Sequence, residues 1–186
     1  MIARLQPGAT LVDLDLSDAP WADADVSDAV LQGCTLRDVQ FSGTGLQAVR
    51  FKAVRFLRCR FAHADLREAV FEDCVFADDT GHAGAQFAFS RLEEARFARC
   101  DLSFARFERS GLYGVEMDAC NLRGAVFLRA DFSRSFGRSV VRSSAAFRGC
   151  NLELADLTEA RLPDCDLNGS CFREAVLIEA DLEGAD

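Results

Sequence analysis

Large apolar residues recur at every fifth position along almost the whole chain. The series runs without exception from Leu11 to Phe76, resumes one residue out of phase at Phe87 and continues to Leu182. Only two of its thirty-four slots hold a residue that is not apolar. A small residue, most often Ala or Cys, stands two positions before most of the large ones. The chain is therefore built from a repeat of five residues.

This period excludes long helices and long strands. Residues i−2 and i lie on one face of an extended segment, because side chains alternate along a strand. The three-residue step to the next unit must then contain a bend, since neither a helical period of 3.6 nor a strand period of 2 fits it. A chain that bends in the same way every five residues winds into a coil, with its large and small apolar residues inside.

The repeat units resemble those of the pentapeptide-repeat family. Examples are "ADLRE", "CDLSF", "CNLRG", "ADFSR", "CDLNG" and "ADLEG". The resemblance implies an all-β fold, a right-handed quadrilateral β-helix with four five-residue units in each turn. Twenty residues per turn give about eight coils and a rod about 40 Å long at ~4.8 Å per coil. We expect one domain over residues 1–186, with residues 1–10 as an N-terminal cap.

Two segments interrupt the repeat. Residues 77–86 ("ADDTGHAGAQ") separate Phe76 from Phe87 by eleven positions and are polar, which predicts a loop extruded from the coil. In residues 133–146 the phase holds, but the two core slots are Gly137 and Arg142. This second segment is expected to form an irregular coil or a second loop.

The spacing of these interruptions, with the segment 96–127 between them, is similar to that of the quinolone-resistance pentapeptide-repeat proteins. That resemblance implies a non-enzymatic DNA mimic that binds DNA gyrase and topoisomerase IV and protects them from quinolone-type inhibitors. By position, the residues implied to contact the partner are Asp78, Asp79, Thr80, Gly81 and His82 in the first loop, and Arg134, Phe136, Arg138 and Arg142 in the second.

The chain departs from that subgroup in two respects. It has about one and a half more coils before the first loop, and it stops at Asp186, inside the repeat. Members of the subgroup dimerise through further coils and a terminal helix. An uncapped coil leaves strand edges exposed, so the sequence predicts either a homodimer through a coil end or fraying of the C-terminus.

The net charge is −9, which disfavours direct binding to nucleic acid or to anionic membranes. Residues 150–186 hold ten acidic residues and two arginines in under two turns, a density close to that of DNA. A DNA-like surface is therefore predicted there, although charged outer positions are also usual on any solvated rod. Its candidate residues are Glu153, Asp156, Glu159, Asp164, Asp166, Glu174, Glu179, Asp181 and Glu183.

Nothing in the sequence predicts an enzyme, a metal site or a cofactor. Seven of the eight cysteines occupy the small inward slot, and only Cys171 should face outward. The histidines, His63 and His82, have no nucleophile or ligand at a recognised spacing. The opening residues have no signal-peptide pattern, so a cytoplasmic protein is expected. Phe89, Phe104 and Tyr113 fall outside the core slots, where scattered exposed aromatic residues are more usual than a contact patch.

A second function remains open. Residues 41–63 contain five basic residues and no acidic one, which a DNA mimic does not require. The alternative is a scaffold or protein-interaction rod with an unrelated protein partner.

Overall fold

The computed structural model describes residues 5–78, 80, 83–136 and 140–186, with the side chains of 136 and 140–143 left out of that description. The described part contains short strands and no helix. They are β1 (Thr10–Val12), β2 (Val30–Gln32), β3 (Thr35–Arg37), β4 (Arg50–Lys52), β5 (Arg55–Leu57), β6 (Val70–Glu72), β7 (Arg96–Ala98), β8 (Val115–Asp118), β9 (Ser133–Phe136), β10 (Val140–Ser143) and β11 (Ala145–Arg148).

The strands stack in parallel, one coil above another. Leu11 pairs with Leu31, Leu31 with Phe51, and Phe51 with Phe71, each twenty residues further along. Between these strands, isolated parallel bridges continue the other sides of the coil, with a step of twenty residues except across the two interruptions. The predicted right-handed quadrilateral β-helix of about eight coils is confirmed.

Each coil has four faces, named here after their core residues. Face 1 carries the slots Leu11, Leu31, Phe51, Phe71, Phe97, Met117, Phe147 and Leu167. Face 2 carries Leu16, Leu36, Phe56, Phe76, Leu102, Leu122, Leu152 and Phe172. Face 3 carries Trp21, Phe41, Phe61, Phe87, Phe107, Phe127, Leu157 and Leu177, and face 4 carries Val26, Leu46, Leu66, Leu92, Leu112, Phe132, Leu162 and Leu182.

The bend that the period requires lies two residues after each core slot. Every non-glycine residue with a positive φ is at this corner position, with φ from 50° for Ala53 to 62° for Glu94. Seven of the eight glycines with positive φ stand at the same position. The left-handed conformation turns the extended segment by about a right angle, so a short strand can begin again on the next face.

Phenylalanine rings fill the interior and stack along the rod axis. On face 3 the ring centroids of Phe41 and Phe61 are 4.5 Å apart, those of Phe61 and Phe87 4.7 Å, and those of Phe87 and Phe107 4.8 Å, all nearly parallel. The stack passes directly across the first interruption. Burial of each ring contributes about 1.5–3 kcal/mol, and the ring stacking adds to it.

The small inward residues also make hydrogen bonds. Cys74 donates its thiol to the carbonyl of Phe51, and Cys100 donates to Phe71, in each case one coil earlier. Thr44 and Ser110 make the equivalent bond to Trp21 and Phe87 at 2.7 Å. Seven cysteines are buried and only Cys171 is exposed, which confirms the orientation predicted from their spacing.

Both interruptions are insertions at a corner of the coil. Phe76 on face 2 and Phe87 on face 3 occupy neighbouring faces, so the first interruption adds six residues without replacing a face. Phe132 and Phe147 lie fifteen positions apart on neighbouring faces, so the second adds ten. Of the two forms expected for the second, the structure has a loop, because β9 and β10 pair as an antiparallel hairpin.

Within the described residues, no helix is long or apolar enough to cross a membrane. The same part of the chain brings together no group of three or more His, Cys, Asp or Glu side chains that could hold a metal ion.

Candidate partner-binding surface

The first loop is closed at its base by Asp78. Its Oδ1 accepts a hydrogen bond from the Thr80 hydroxyl at 2.7 Å and one from the Thr80 backbone N–H at 3.2 Å. The Asp78 N–H donates to the carbonyl of Ala83 at 3.0 Å. The Ala83 N–H also donates to Asp78 Oδ1 at 3.4 Å, so backbone and side chain of Asp78 together hold the two ends of the loop. Of the other predicted residues of this loop, Asp79, Gly81 and His82 lie outside the described residues.

The far end of the loop is pressed against the next coil. A Cβ on Gly84 would stand 2.4 Å from the backbone N of Ala105 and 2.5 Å from the carbonyl O of Ser103. Because these contacts are backbone atoms, only glycine fits at position 84. Gln86 then returns to the wall through a parallel bridge to Arg60.

The hairpin leans back over the coils that precede it. An Arg134 guanidinium N lies 3.4 Å from a carboxylate oxygen of Glu94, forty residues earlier, and the same group lies 5.8 Å from the centre of the Tyr113 ring. Ser144 closes the base, because its N–H donates to the carbonyl of Phe132 at 3.1 Å, and its own carbonyl accepts from the N–H of Gly114 in the preceding coil. Arg138 and the side chains of Phe136 and Arg142 lie outside the described part.

The nine acidic residues predicted in 150–186 do not share one face. Glu153 and Glu174 belong to face 2, Asp156, Glu159 and Glu179 to face 3, Asp164, Asp181 and Glu183 to face 4, and Asp166 to face 1. Three of them are in close ion pairs: Glu153 with Arg173 at 2.6 Å, Glu159 with Arg129 at 2.8 Å, and Asp166 with Arg148 at 2.6 Å. Their hydrogen bonds to arginine lower the pKa of Glu159 and of Asp166.

The acidity of the molecule is concentrated on face 4. Apart from the two loops, the outward positions of this face hold ten acidic residues and three arginines, whereas each of the other faces has a net charge of −1. The acids are Asp25, Asp28, Asp65, Glu68, Glu93, Glu94, Asp131, Asp164, Asp181 and Glu183, and the arginines are Arg67, Arg91 and Arg161.

The acidic residues of face 4 are also less often ion-paired with arginine than those of the other three faces. Only Asp65, with Arg67 and Arg91, and Glu94, with Arg134, have an ion pair in the described part of the chain. On the other three faces, eight of the seventeen acids are paired with arginine. Face 4 therefore carries a column of carboxylates, most of them without an ion pair in the described part of the chain, in six of its eight coils, and we call it the acidic face.

The basic segment and the aromatic outliers are dispersed. Arg50 and Lys52 lie on face 1, Arg55 and Arg58 on face 2, and Arg60 on face 3, so they ring one coil. The aromatic outliers occupy different sides: Phe89 follows face 3, Phe104 follows face 2 and Tyr113 lies on face 4. Phe89 stacks on His63 at 5.4 Å. The three aromatic residues form no common patch.

The acidic face does not stand out in the charge of any one segment, because its members are about twenty residues apart. The signal was present in the sequence. Grouping outward residues by their position modulo twenty, with six residues removed at the first loop and ten at the second, recovers the column. The numbers six and ten depend on which faces lie on either side of each insertion. The structure shows that those faces are neighbours in both cases.

Comparison with known protein families matches residues 9–47, 83–117, 143–173 and 155–186 to pentapeptide repeats, in eight copies. The chain is 32% identical over 104 residues to the quinolone resistance pentapeptide repeat protein QnrB96 of Scandinavium goeteborgense, covering 56% of this chain and 49% of that protein. It is 31% identical over 94 residues to the pentapeptide repeat protein QnrB4 of Escherichia coli, covering 50% of this chain and 44% of that one. The chain thus matches about half the length of these relatives.

Among solved structures, full-length QnrB1, a plasmid-mediated fluoroquinolone resistance protein, superposes with a TM-score of 0.67. The superposition covers 97% of this chain and 75% of that structure at 24% identity, which supports the fold. The repeat matches cover most of the chain and agree with the coils described above. The chain therefore belongs to the pentapeptide-repeat family.

Proposed function

We propose that this protein is a non-enzymatic DNA mimic that binds a type II topoisomerase, DNA gyrase or topoisomerase IV, and protects it from quinolone-type inhibitors. The acidic face is the observation that carries the proposal. Two relatives with about one third sequence identity support it, since one is named as a quinolone resistance protein. The two loops, at spacings similar to those of the quinolone-resistance subgroup, support it further.

The charge spacing of the acidic face is compatible with mimicry of one DNA strand. Its ten carboxylates extend over eight coils, that is seven steps of ~4.8 Å or about 34 Å. This gives one carboxylate per ~3.4 Å, the axial spacing of phosphates along a single strand. The three arginines lower the net density below that of DNA. A basic DNA-binding groove is the kind of protein surface that such a column attracts.

A supercoiling assay with gyrase and ciprofloxacin tests the proposal. The intact protein is expected to restore supercoiling in the presence of the drug. A variant neutralised on the acidic face, Asp25→Asn, Asp28→Asn, Glu68→Gln and Asp131→Asn, is expected to require at least tenfold more protein, because four unpaired charges are lost together. Higher salt should weaken binding of the intact protein more than that of this variant.

A variant with four neutral substitutions on face 2 is the matched control: Asp15→Asn, Asp18→Asn, Asp101→Asn and Glu174→Gln. It changes the net charge by the same amount. We expect it to protect gyrase nearly as well as the intact protein. If both variants lose protection equally, total charge and not the acidic face is responsible. If the intact protein neither binds gyrase nor alters its inhibition, the proposal is wrong.

The ring of basic residues at the third coil favours one other candidate function, an interaction rod for an unrelated protein. Arg50, Lys52 and Arg60 lie on two faces of that coil and have no ion pair among the described residues. A pull-down that depends on these three residues and is unaffected by neutralisation of the acidic face would support this alternative.

A further inference from the structure

A pocket lies on the acidic face where the hairpin leans over it. It has a volume of 350 Å³ and is lined by Arg67, Glu68, Arg91, Glu93, Glu94, Tyr113, Ser133 and Arg134. Arg67 and Arg91 are both directed to Asp65, at 2.7 and 3.6 Å, and Arg134 is directed to Glu94. Each arginine of the pocket thus has a carboxylate partner, with Asp65 shared by two of them, whereas Glu68 and Glu93 are in no ion pair of the described residues and interact with Arg67 only at longer range.

Glu93 is the unusual member of this set. Its Oε2 is the one buried side-chain oxygen or nitrogen of the described residues that has no hydrogen-bond partner. The carboxylate can occupy this position because the residue below it is glycine: a Cβ on Gly111 would stand 2.8 Å from Oε1. A carboxylate that is partly removed from water and has no donor is costly, and a cation in the pocket would offset that cost.

Arg134 shows what kind of cation this surface accepts. Its guanidinium sits 5.8 Å from the centre of the Tyr113 ring and 3.4 Å from Glu94, so an aromatic face and a carboxylate already hold one arginine. Glu93 and Tyr113 occupy the same outward position in successive coils, and Glu68 and Glu94 occupy the adjacent corner position. Successive coils are ~4.8 Å apart, so Glu68 and Glu93 are within reach of a second planar guanidinium.

We propose that this pocket binds an arginine side chain of a protein partner, held by Glu68 and Glu93 beside the intramolecular Arg134. An anionic ligand is disfavoured, because every arginine of the pocket has a carboxylate partner and the unpaired groups are acidic. An arginine suits the pocket better than a lysine, since its planar guanidinium has several N–H donors that can reach Glu68 and Glu93 together, and it stacks on aromatic rings. The inference concerns a side chain and holds whether or not the partner is a topoisomerase.

The test is an NMR titration of the full-length, ¹⁵N-labelled protein with N-acetyl-arginine amide. We expect saturable shifts of backbone amides near residues 68, 93, 94, 111 and 113. N-acetyl-citrulline amide, the neutral analogue of nearly the same shape, should cause none of them. Glu93→Gln should weaken binding by about three- to tenfold, as expected for a partly exposed charge pair.

Two further variants make the outcome decisive. Gly111→Ala keeps every charge but displaces the Glu93 carboxylate, and it should weaken binding as Glu93→Gln does. Glu72→Gln removes an equal charge on face 1 and should leave binding unchanged. Shifts spread evenly over all four faces, equal effects of Glu93→Gln and Glu72→Gln, or equal shifts with citrulline would each overturn the proposal. Spectra of the free variants with otherwise unchanged peaks establish that they are folded.

Discussion

At the scale of single residues, the inward small slot of each repeat has a chemical task as well as a steric one. Most Cys, Ser and Thr residues in this slot donate a hydrogen bond to a carbonyl one coil earlier, as Cys120 does to Phe97 and Ser110 to Phe87. The same slot accommodates a thiol or a hydroxyl, because both groups are small and both can donate a hydrogen bond to a backbone carbonyl. The cysteines are therefore parts of the wall and are not reactive groups.

Substitutions at Ser110, whose side chain is fully buried, test this role. Ser110→Ala removes the 2.7 Å bond and is expected to lower the free energy of unfolding by about 1 kcal/mol. Ser110→Cys is the matched control and should cost less, because cysteine makes the equivalent bond at other coils. Urea denaturation measures both, and equal losses for the two variants would contradict the assignment.

Thiol reactivity provides a second test at this scale. Burial raises the pKa of Cys59 to about 12 and that of Cys165 to about 11, so neither forms an appreciable thiolate near neutral pH. A colorimetric disulfide reagent at pH 8 should label one thiol of the folded protein, that of Cys171, and all eight after denaturation in guanidinium. Rapid labelling of more than one thiol in the folded protein would show that the coils open.

At the scale of elements, the two insertions leave the rod unaltered. The ring stack continues from Phe61 to Phe87 across the first loop, and β11 pairs with β8 across the hairpin. A coil closes on itself through contacts with the coils above and below it, so extra residues at a corner can project outward without breaking that stacking. The loop and the hairpin thus project from a core whose stacking they do not interrupt.

Gly84→Ala should detach the first loop from the wall while leaving the coils intact. The new Cβ would approach the backbone of Ala105 to 2.4 Å, which neither segment can accommodate by a side-chain rotation. We expect faster limited proteolysis within residues 77–86 and a small change in thermal stability. Ala83→Ser, a change at an exposed neighbour, is the control. Unchanged proteolysis of the Gly84→Ala protein would contradict the predicted close packing.

At the scale of the whole molecule, the four faces have different electrostatic roles. The carboxylates of the other faces are in many cases paired across coils, as in Asp38 with Arg58 and Asp73 with Arg99, both at 2.7 Å. Those of the acidic face are mostly not. Ion pairs on the other faces join one coil to the next, and most carboxylates of the acidic face have no ion pair in the described part of the chain.

This difference predicts a specific acid response. Hydrogen bonds from arginine lower the pKa of Asp38 and Asp73 below its unfolded value near 4. A lowered folded-state pKa means that these pairs stabilise the protein fully above about pH 4 and cease to do so as the pH falls through the lowered pKa. The urea midpoint should therefore fall steeply below about pH 4.

Arg58→Gln should make that fall shallower, since it restores the pKa of Asp38 toward the unfolded value. Asp164→Asn, which removes an unpaired carboxylate of the acidic face, is the control. It should leave the decrease of the urea midpoint below about pH 4 nearly unchanged. If the urea midpoint of the intact protein and that of the Arg58→Gln variant fell in the same way below about pH 4, the Asp38–Arg58 pair would contribute no measurable stability.

The sequence by itself determined the coil. A period of five with a small and a large apolar residue in each unit allows few structures, because each unit must bury the same two positions and then bend. The positions of both insertions, the inward cysteines and the outward Cys171 followed from the same count. The number of sides did not follow from the period, and came only from the resemblance to known pentapeptide repeats.

Only the tertiary structure decided which residues share a surface. Asp28, Glu68 and Glu94 are far apart in the chain but line one pocket, because every coil returns to the same face and these residues lie within four successive coils. The acids of residues 150–186 are close in the chain and become separated, because successive repeats point in four directions. Charge density along a chain is therefore a poor guide to charge density on a solenoid, where the turn length sets the neighbours.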